Sequence, residues 1–244
     1  MRKEIKQFVC KYRFLRNIYY LYRRNKTNNR KYEGLTKEQV FSTIYLNHSW
    51  GGTNEFYSGE GSHNLTYYSP YCDYVKTFIM NNGIVSIVDL GCGDFNVGKE
   101  YAGLVNTYIG VDIVKAVVDY NNNQYGDDNI KFVCLDISKD DIPEAELCII
   151  REVLQHNNND SILSILEKTK KYKYVLLTET RTVKDEAIAF NTDISTGGST
   201  RAGHMSGVYI EEPPFCIDAE IVLRIPYNND FTWHTELVTS LIQN

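Results

Sequence analysis

An α/β fold with a doubly wound, largely parallel sheet is what this sequence predicts, and three observations carry that expectation. Short apolar runs rich in β-branched residues recur along the chain without polar alternation, as strands buried on both faces do. The first, residues 84–88 (IVSIV), runs into Asp89 and a glycine-rich turn, Gly91-Cys92-Gly93-Asp94. Near the end, runs at 219–226 and 231–241 flank Asn228-Asn229-Asp230, which reads as a hairpin closing an antiparallel edge.

The 244 residues, 43% hydrophobic, fit one domain with a sizeable core. Residues 1–33 hold eleven Lys/Arg and two acids, a net of +9, whereas the other 211 carry −14 within an overall −5. In residues 1–25, Ile5, Phe8, Val9, Tyr12, Leu15, Tyr19 and Tyr22 recur at spacings of three and four, which is one face of an amphipathic helix. Its basic remainder leaves three readings open: packing on its own domain or a partner chain, lying on an anionic membrane surface, or binding nucleic acid. Residues 25–31 read as a polar linker. No apolar run approaches the ~20 residues that span a bilayer, and no secretory h-region is present. The six cysteines form no C-x-x-C pair and read as reduced, mostly buried thiols of a cytoplasmic protein, with no metal site expected.

Further along, residues 35–47 form a second helical pattern. Leu35, Val40, Phe41 and Ile44 face inward, and Thr36 is the N-cap with Gln39 three residues later. A glycine- and aromatic-rich stretch follows, from Trp50-Gly51-Gly52 to Ser58-Gly59-Glu60-Gly61-Ser62-His63. Residues 70–80 read as the helix before the first strand, with Tyr71, Tyr74, Val75 and Phe78 on one face. After the glycine turn a helix is expected, then strands at 107–111, 130–135, 146–150 and 174–177. Asp160 is expected to cap a helix burying Ile162, Ile165 and Leu166. Residues 182–218 show no clear period and read as an insertion.

The glycine turn places Asn96 where a dinucleotide fingerprint needs its third glycine. An acid at the strand end, Asp89, would repel pyrophosphate but suit a ligand with an ammonium group. The second strand ends in Asp112, about 20 residues past the first glycine, where a carboxylate can accept from both ribose hydroxyls. The third ends in Asp136. Three strand-like runs ending in acids in this order resemble the class I S-adenosylmethionine-dependent methyltransferases. That resemblance implies a Rossmann-like, doubly wound seven-stranded sheet with an antiparallel C-terminal strand hairpin. The I-Y-x-x-x-x-W-G-G…S-G-x-G-S stretch and N-x-D-I-x-x-G-G-x-x-R…P-P-F resemble, more narrowly, a group found with bacterial capsule and surface-polysaccharide biosynthesis. The implied organisation is a basic helix and linker at 1–33, a helical lid segment at 34–82, and a methyltransferase domain at 83–244 with a substrate-covering insertion at 182–218.

The resemblance implies S-adenosylmethionine as cofactor and S-adenosylhomocysteine as product. Asp89, Gly91, Cys92, Gly93, Asp94, Asp112, Ile113, Asp136, Ile137 and Arg151 would hold it, with Trp50 and Ser58 from the lid. A hydroxyl acceptor must lose its proton, so His156 after the fourth strand is the candidate base and Glu179 after the fifth its orienter. Arg181 and Arg201 are candidates for gripping phosphate on the acceptor, with His204 and Tyr57 as further acceptor contacts. The acceptor expected is a capsule or surface-glycan precursor, either a nucleotide-linked sugar or a phosphorylated or phosphoramidate substituent. The alternative, a nucleic-acid methyltransferase, lacks N/D-P-P-Y/F after the fourth strand, where Arg151-Glu152-Val153-Leu154 stands, and an acidic body opposes a nucleic-acid track.

Overall fold

The computed structural model describes residues 32–53, 56–228 and 231–244; the basic helix expected at 1–25, with Cys10, lies outside them. Helix α1 (Lys37–Leu46) begins as the sequence predicts. Gln39 N–H donates to the Thr36 hydroxyl while Thr36 N–H donates to Gln39 Oε1, the reciprocal capping box. Val40, Ile44 and Tyr45 are its buried residues, but Leu35 lies outside the helix and is 42% exposed. A single turn, α2 (Glu60–His63), leads into α3 (Leu65–Asn82), which Asn64 caps by accepting from Thr66 N–H. Helix α3 therefore starts five residues before Pro70, where the sequence suggested its beginning.

Strands β1 (Ser86–Leu90), β2 (Thr107–Asp112), β3 (Ile130–Cys134), β4 (Leu147–Arg151) and β5 (Tyr174–Thr182) are parallel. β6 (Glu220–Tyr227) and β7 (Thr235–Gln243) complete a seven-stranded sheet ordered β3-β2-β1-β4-β5-β7-β6, with β7 antiparallel to both neighbours. α4 (Lys115–Tyr125) joins β2 to β3, and α5 (Asn159–Thr169) joins β4 to β5. Alternate residues of the central strands feed two cores. Ile87, Ile149 and Leu176 pack with Tyr71, Val75 and Phe78 of α3 on one face. Val88, Ile150 and Leu177 pack with Ile162, Ile165 and Leu166 of α5 on the other. This two-sided burial is why the strands show no polar alternation.

Four expectations change. The helix expected after the glycine turn is two short 3₁₀ turns, Gly98–Glu100 and Ala102–Leu104. The cap of α5 is Asn158, whose side chain accepts from Ser161 N–H, and Asp160 lies within the first turn. Cys134 is exposed although it lies in a strand, and Cys216 is exposed too. β5 continues five residues beyond 177, so Glu179 and Arg181 belong to the strand. Among the described residues no helix is long and apolar enough to cross a membrane.

The insertion after β5 is anchored by polar side chains. Asn191, at φ +52°, donates to the carbonyls of Tyr209, Glu212 and Pro213 and accepts from Tyr209 N–H. Val208, Ile210 and Phe215 enter the core on the α5 side. Asn191→Ala removes this hub and leaves buried peptide groups without partners, so unfolding in urea should show a loss of about 2–3 kcal/mol with an unchanged m-value.

Candidate functional site

The site is assembled where β1, β2 and β4 end. Gly91 (φ +82°) and Gly93 (φ +54°) turn the chain after β1, a backbone that favours glycine. Space demands glycine as well: a Cβ on Gly91 would lie 2.4 Å from Val153, and one on Gly93 2.3 Å from the Ser58 hydroxyl. Gly91 N–H and Cys92 N–H donate to the Val111 carbonyl, tying the turn to the end of β2. Asp112 completes the tie. Its Oδ2 accepts from Gly93 N–H at 3.1 Å and its Oδ1 from Val114 N–H at 2.9 Å. A carboxylate has about four acceptor sites, so Asp112 retains acceptor capacity beyond its backbone donors.

The other two acids differ in environment. Asp89 is buried and accepts from the Tyr108 hydroxyl at 2.5 Å; burial pushes its pKa up to about 6 against that bond. Burial does the same to Asp112, also to about 6, against the N–H donors of Val114, Gly93 and Ile113. Asp136 goes the other way. Burial would raise it, but the Ser138 hydroxyl and the Lys37 charge hold it below the usual carboxylate range.

These groups surround a cavity of about 340 Å³. The twelve residues expected around the cofactor all line it, as does His156. The segment before α2 is fastened over the glycine turn by a reciprocal pair: Ser58 N–H donates to Asp94 Oδ2, and Asp94 N–H donates to Ser58 Oγ. His63 Nε2 lies 2.6 Å from the same Asp94 oxygen. Arg151 donates from Nη2 to the Gly61 carbonyl (2.7 Å) and from Nη1 to the Ser62 hydroxyl (3.1 Å).

The acceptor-side expectations require correction. Glu179 does not pair with His156. Its carboxylate accepts from the backbone N–H groups of Val153, Leu154 and Gln155, because the sharp turn after β4 presents three buried donors that need an acceptor. Burial and the neighbouring Glu152 charge push Glu179 up to about 8 against those donors. His156 Nδ1 instead lies 3.2 Å from the Gly197 carbonyl oxygen.

Neither expected phosphate-gripping arginine is available. Arg181 is 2% exposed and holds Glu211 (3.0 Å) and Glu236 (3.3 Å) over the Tyr209 ring, with its Nη2 buried and without a hydrogen-bond partner. Arg201 is fully buried and donates to the Thr192 and Leu154 carbonyls and to Asn159 Oδ1. A buried guanidinium needs acceptors on its several N–H groups; Arg201 finds them on all three nitrogens and Arg181 on Nε and Nη1. His204 ends the 3₁₀ turn Arg201–His204, away from the cavity wall. Tyr57 stacks on His63 at 4.2 Å and donates to Glu60, also outside the lining.

Glu152 and Gln155 are among the lining residues that the sequence reading did not single out. Glu152, just past β4, is half-buried with φ +61°, and Gln155 is 3% exposed. The one signal for them was their place between the fourth strand and His156. Among the described residues no three His, Cys, Asp or Glu side chains are grouped to hold a metal ion.

Residues 88–169, about a third of the chain, match the family described as a methyltransferase domain. No curated protein matches the chain in sequence. Among solved structures, it is similar to the N-methyltransferase NodS from Bradyrhizobium japonicum WM9 in complex with S-adenosyl-L-homocysteine. That likeness has a TM-score of 0.57 at 10% identity, over 85% of this chain and 99% of that one. Human N-acetylserotonin methyltransferase in complex with S-adenosylmethionine gives 0.52 at 18% identity, over 94% and 67%. TehB from Haemophilus influenzae gives 0.52 at 15% identity, over 86% and 68%. At these identities the likeness is one of fold, and the fold is that of the class I methyltransferases. With the methyltransferase domain match over β1–α5 and the glycine turn set among strand-end acids, the chain carries a methyltransferase domain.

The cavity has room and polar groups that fit S-adenosylmethionine. Gly91 and Gly93 give the turn its conformation, and Asp112 and Asp136 present their carboxylates at the cavity wall. Calorimetric titration with S-adenosylhomocysteine should show binding to the wild type and a loss of about 1.5–3 kcal/mol for Asp112→Ala. Hydroxyl donors favour the ionised Asp112, so binding lowers a pKa that burial has raised to about 6. Binding should therefore release protons near pH 6, and affinity should fall as pH drops through that value. Titrations in buffers of different ionisation enthalpy will read this directly.

Proposed function

We propose that the protein transfers the methyl group of S-adenosylmethionine to a hydroxyl of a small, sugar-like acceptor, as in the making of a surface-glycan precursor. The observation that carries this reading is the meeting of two separate segments at His156. Trp50 packs its ring 5.1 Å from the imidazole. Gly197 N–H donates to the His156 carbonyl at 3.0 Å, and a Cβ on Gly198 would lie 3.7 Å from Trp50 Nε1. These are the W-G-G and G-G segments through which the sequence resembles the surface-polysaccharide group.

The cofactor supplies an already activated methyl group; the chain's own residues must align the acceptor, exclude water and take a proton. Trp50 and the 197–198 backbone cover His156 on the cavity wall. Donation from Nδ1 to the Gly197 carbonyl leaves Nε2 as the basic nitrogen. Burial pushes the His156 pKa down to about 4, so the imidazole is neutral at pH 7. With Arg181 and Arg201 engaged elsewhere, a sugar hydroxyl is favoured over a phosphorylated substituent. Nothing at the post-β4 turn favours a nucleic-acid acceptor.

Incubation with labelled cofactor and a panel of monosaccharides, sugar phosphates and nucleotide sugars tests the reading. His156→Ala should lower kcat by about 10²- to 10⁴-fold while S-adenosylhomocysteine still binds. An unchanged kcat would remove His156 as the base.

A further inference from the structure

Beyond His156, the wall after β4 carries two groups that nothing above employs. Glu152 follows β4 directly and holds φ +61°, uncommon for a residue with a side chain and a kind of strain that gathers at functional sites. Its orientation is fixed from two sides. Glu152 N–H donates to the Thr178 carbonyl, and its Oε1 accepts from Thr180 N–H, each at 2.8 Å. The absence of a side chain at Gly61 leaves room for the carboxylate; a Cβ there would lie 2.7 Å from Oε2. Three residues on, Gln155 is 3% exposed, lines the same cavity, and its Oε1 is buried without a hydrogen-bond partner. A buried acceptor left alone is costly, which points to a donor arriving with a ligand.

Among the described lining residues the cations are Lys37 and Arg151; the terminal nitrogens of both are engaged, and Arg151 Nε is buried without a hydrogen-bond partner. Lys37 donates to Ser138 and Ser161 beside Asp136, and Arg151 clasps Gly61 and Ser62.

Resting on the methyltransferase reading, we infer that Glu152 and Gln155 form the acceptor-recognition pair, receiving two donors of an uncharged or cationic hydroxyl- or amine-bearing small molecule that carries no phosphate. Glu152 orients the acceptor through one hydroxyl or amine, Gln155 Oε1 accepts from a second, and an anionic acceptor is repelled.

The test uses the full chain as wild type, Glu152→Gln, which retains an oxygen for Thr180 N–H, and Gln155→Leu. S-Adenosylhomocysteine titration comes first; no binding by the wild type would bring down the methyltransferase reading itself. Each protein is then incubated with a small-molecule extract of its source and methyl-labelled S-adenosylmethionine, and products are sorted by ion exchange before and after phosphatase. The expected result is label in a neutral or cationic product, reduced at least about tenfold by either substitution with S-adenosylhomocysteine affinity retained. Label in a phosphatase-sensitive anion, label in no small molecule, or equal labelling by wild type and variants would overturn the assignment.

Discussion

The site depends on one clasp between β5 and the turn after β4. Glu179 takes the backbone N–H groups of three successive residues, Val153 at 3.1 Å, Leu154 at 2.7 Å and Gln155 at 3.0 Å. These are the orphan donors at the start of the 3₁₀ turn Leu154–His156, and each would cost about 1–3 kcal/mol if buried alone. With them satisfied, the chain turns sharply inside the protein and sets Glu152, Gln155 and His156 along the cavity. Arg201 holds the Leu154 carbonyl from the other side. Two residues that looked like reagents in the sequence are thus the posts between which the reactive loop is stretched.

The insertion gains its shape from the same economy of polar groups. In N-x-D-I-x-x-G-G-x-x-R, Asn191 gathers the 209–213 backbone, Asp193 accepts from Asn159 N–H at the start of α5, and Arg201 returns to Thr192 and Asn159. The glycines between them run past Trp50 and His156. Polar residues fasten the loop at its ends, and its small residues pass closest to the cavity.

Much of the fold was legible because the central strands are buried on both faces, and strand-end acids and glycines act locally. Asp89, Asp112 and the turn between them need only the register Leu90 opposite Val111 to converge. The length of β5 was hidden because Thr178–Thr182 reads as polar loop. Those residues are buried between β4 and β7, with Thr178 paired to the Thr239 hydroxyl at 2.9 Å. The acceptor side was misread for a related reason. Whether Arg181 meets a ligand or Glu236 depends on β7, 55 residues away, and no local pattern reports such a pairing. The helix expected after the glycine turn fails at Gly98, packed so closely that a Cβ would lie 2.3 Å from the Tyr108 hydroxyl.

The strand-end acids also set how the empty and loaded proteins differ. Burial raises Asp89 and Asp112 from the ordinary value of 3.8 to about 6 in the folded chain. The folded state therefore binds their protons more tightly than the unfolded chain does. The stability this gives is complete below the ordinary carboxylate pKa and is lost as pH rises through 6. At neutral pH the chain carries both as buried anions, and Asp112 also holds the glycine turn through Gly93 N–H. A ligand that brings hydroxyl donors to Asp112 and positive charge near Asp89 offsets that cost, whereas a phosphate would add to it. The same acids that make the fold less stable at pH 7 thus favour a cationic, hydroxyl-bearing ligand over a phosphate-bearing one.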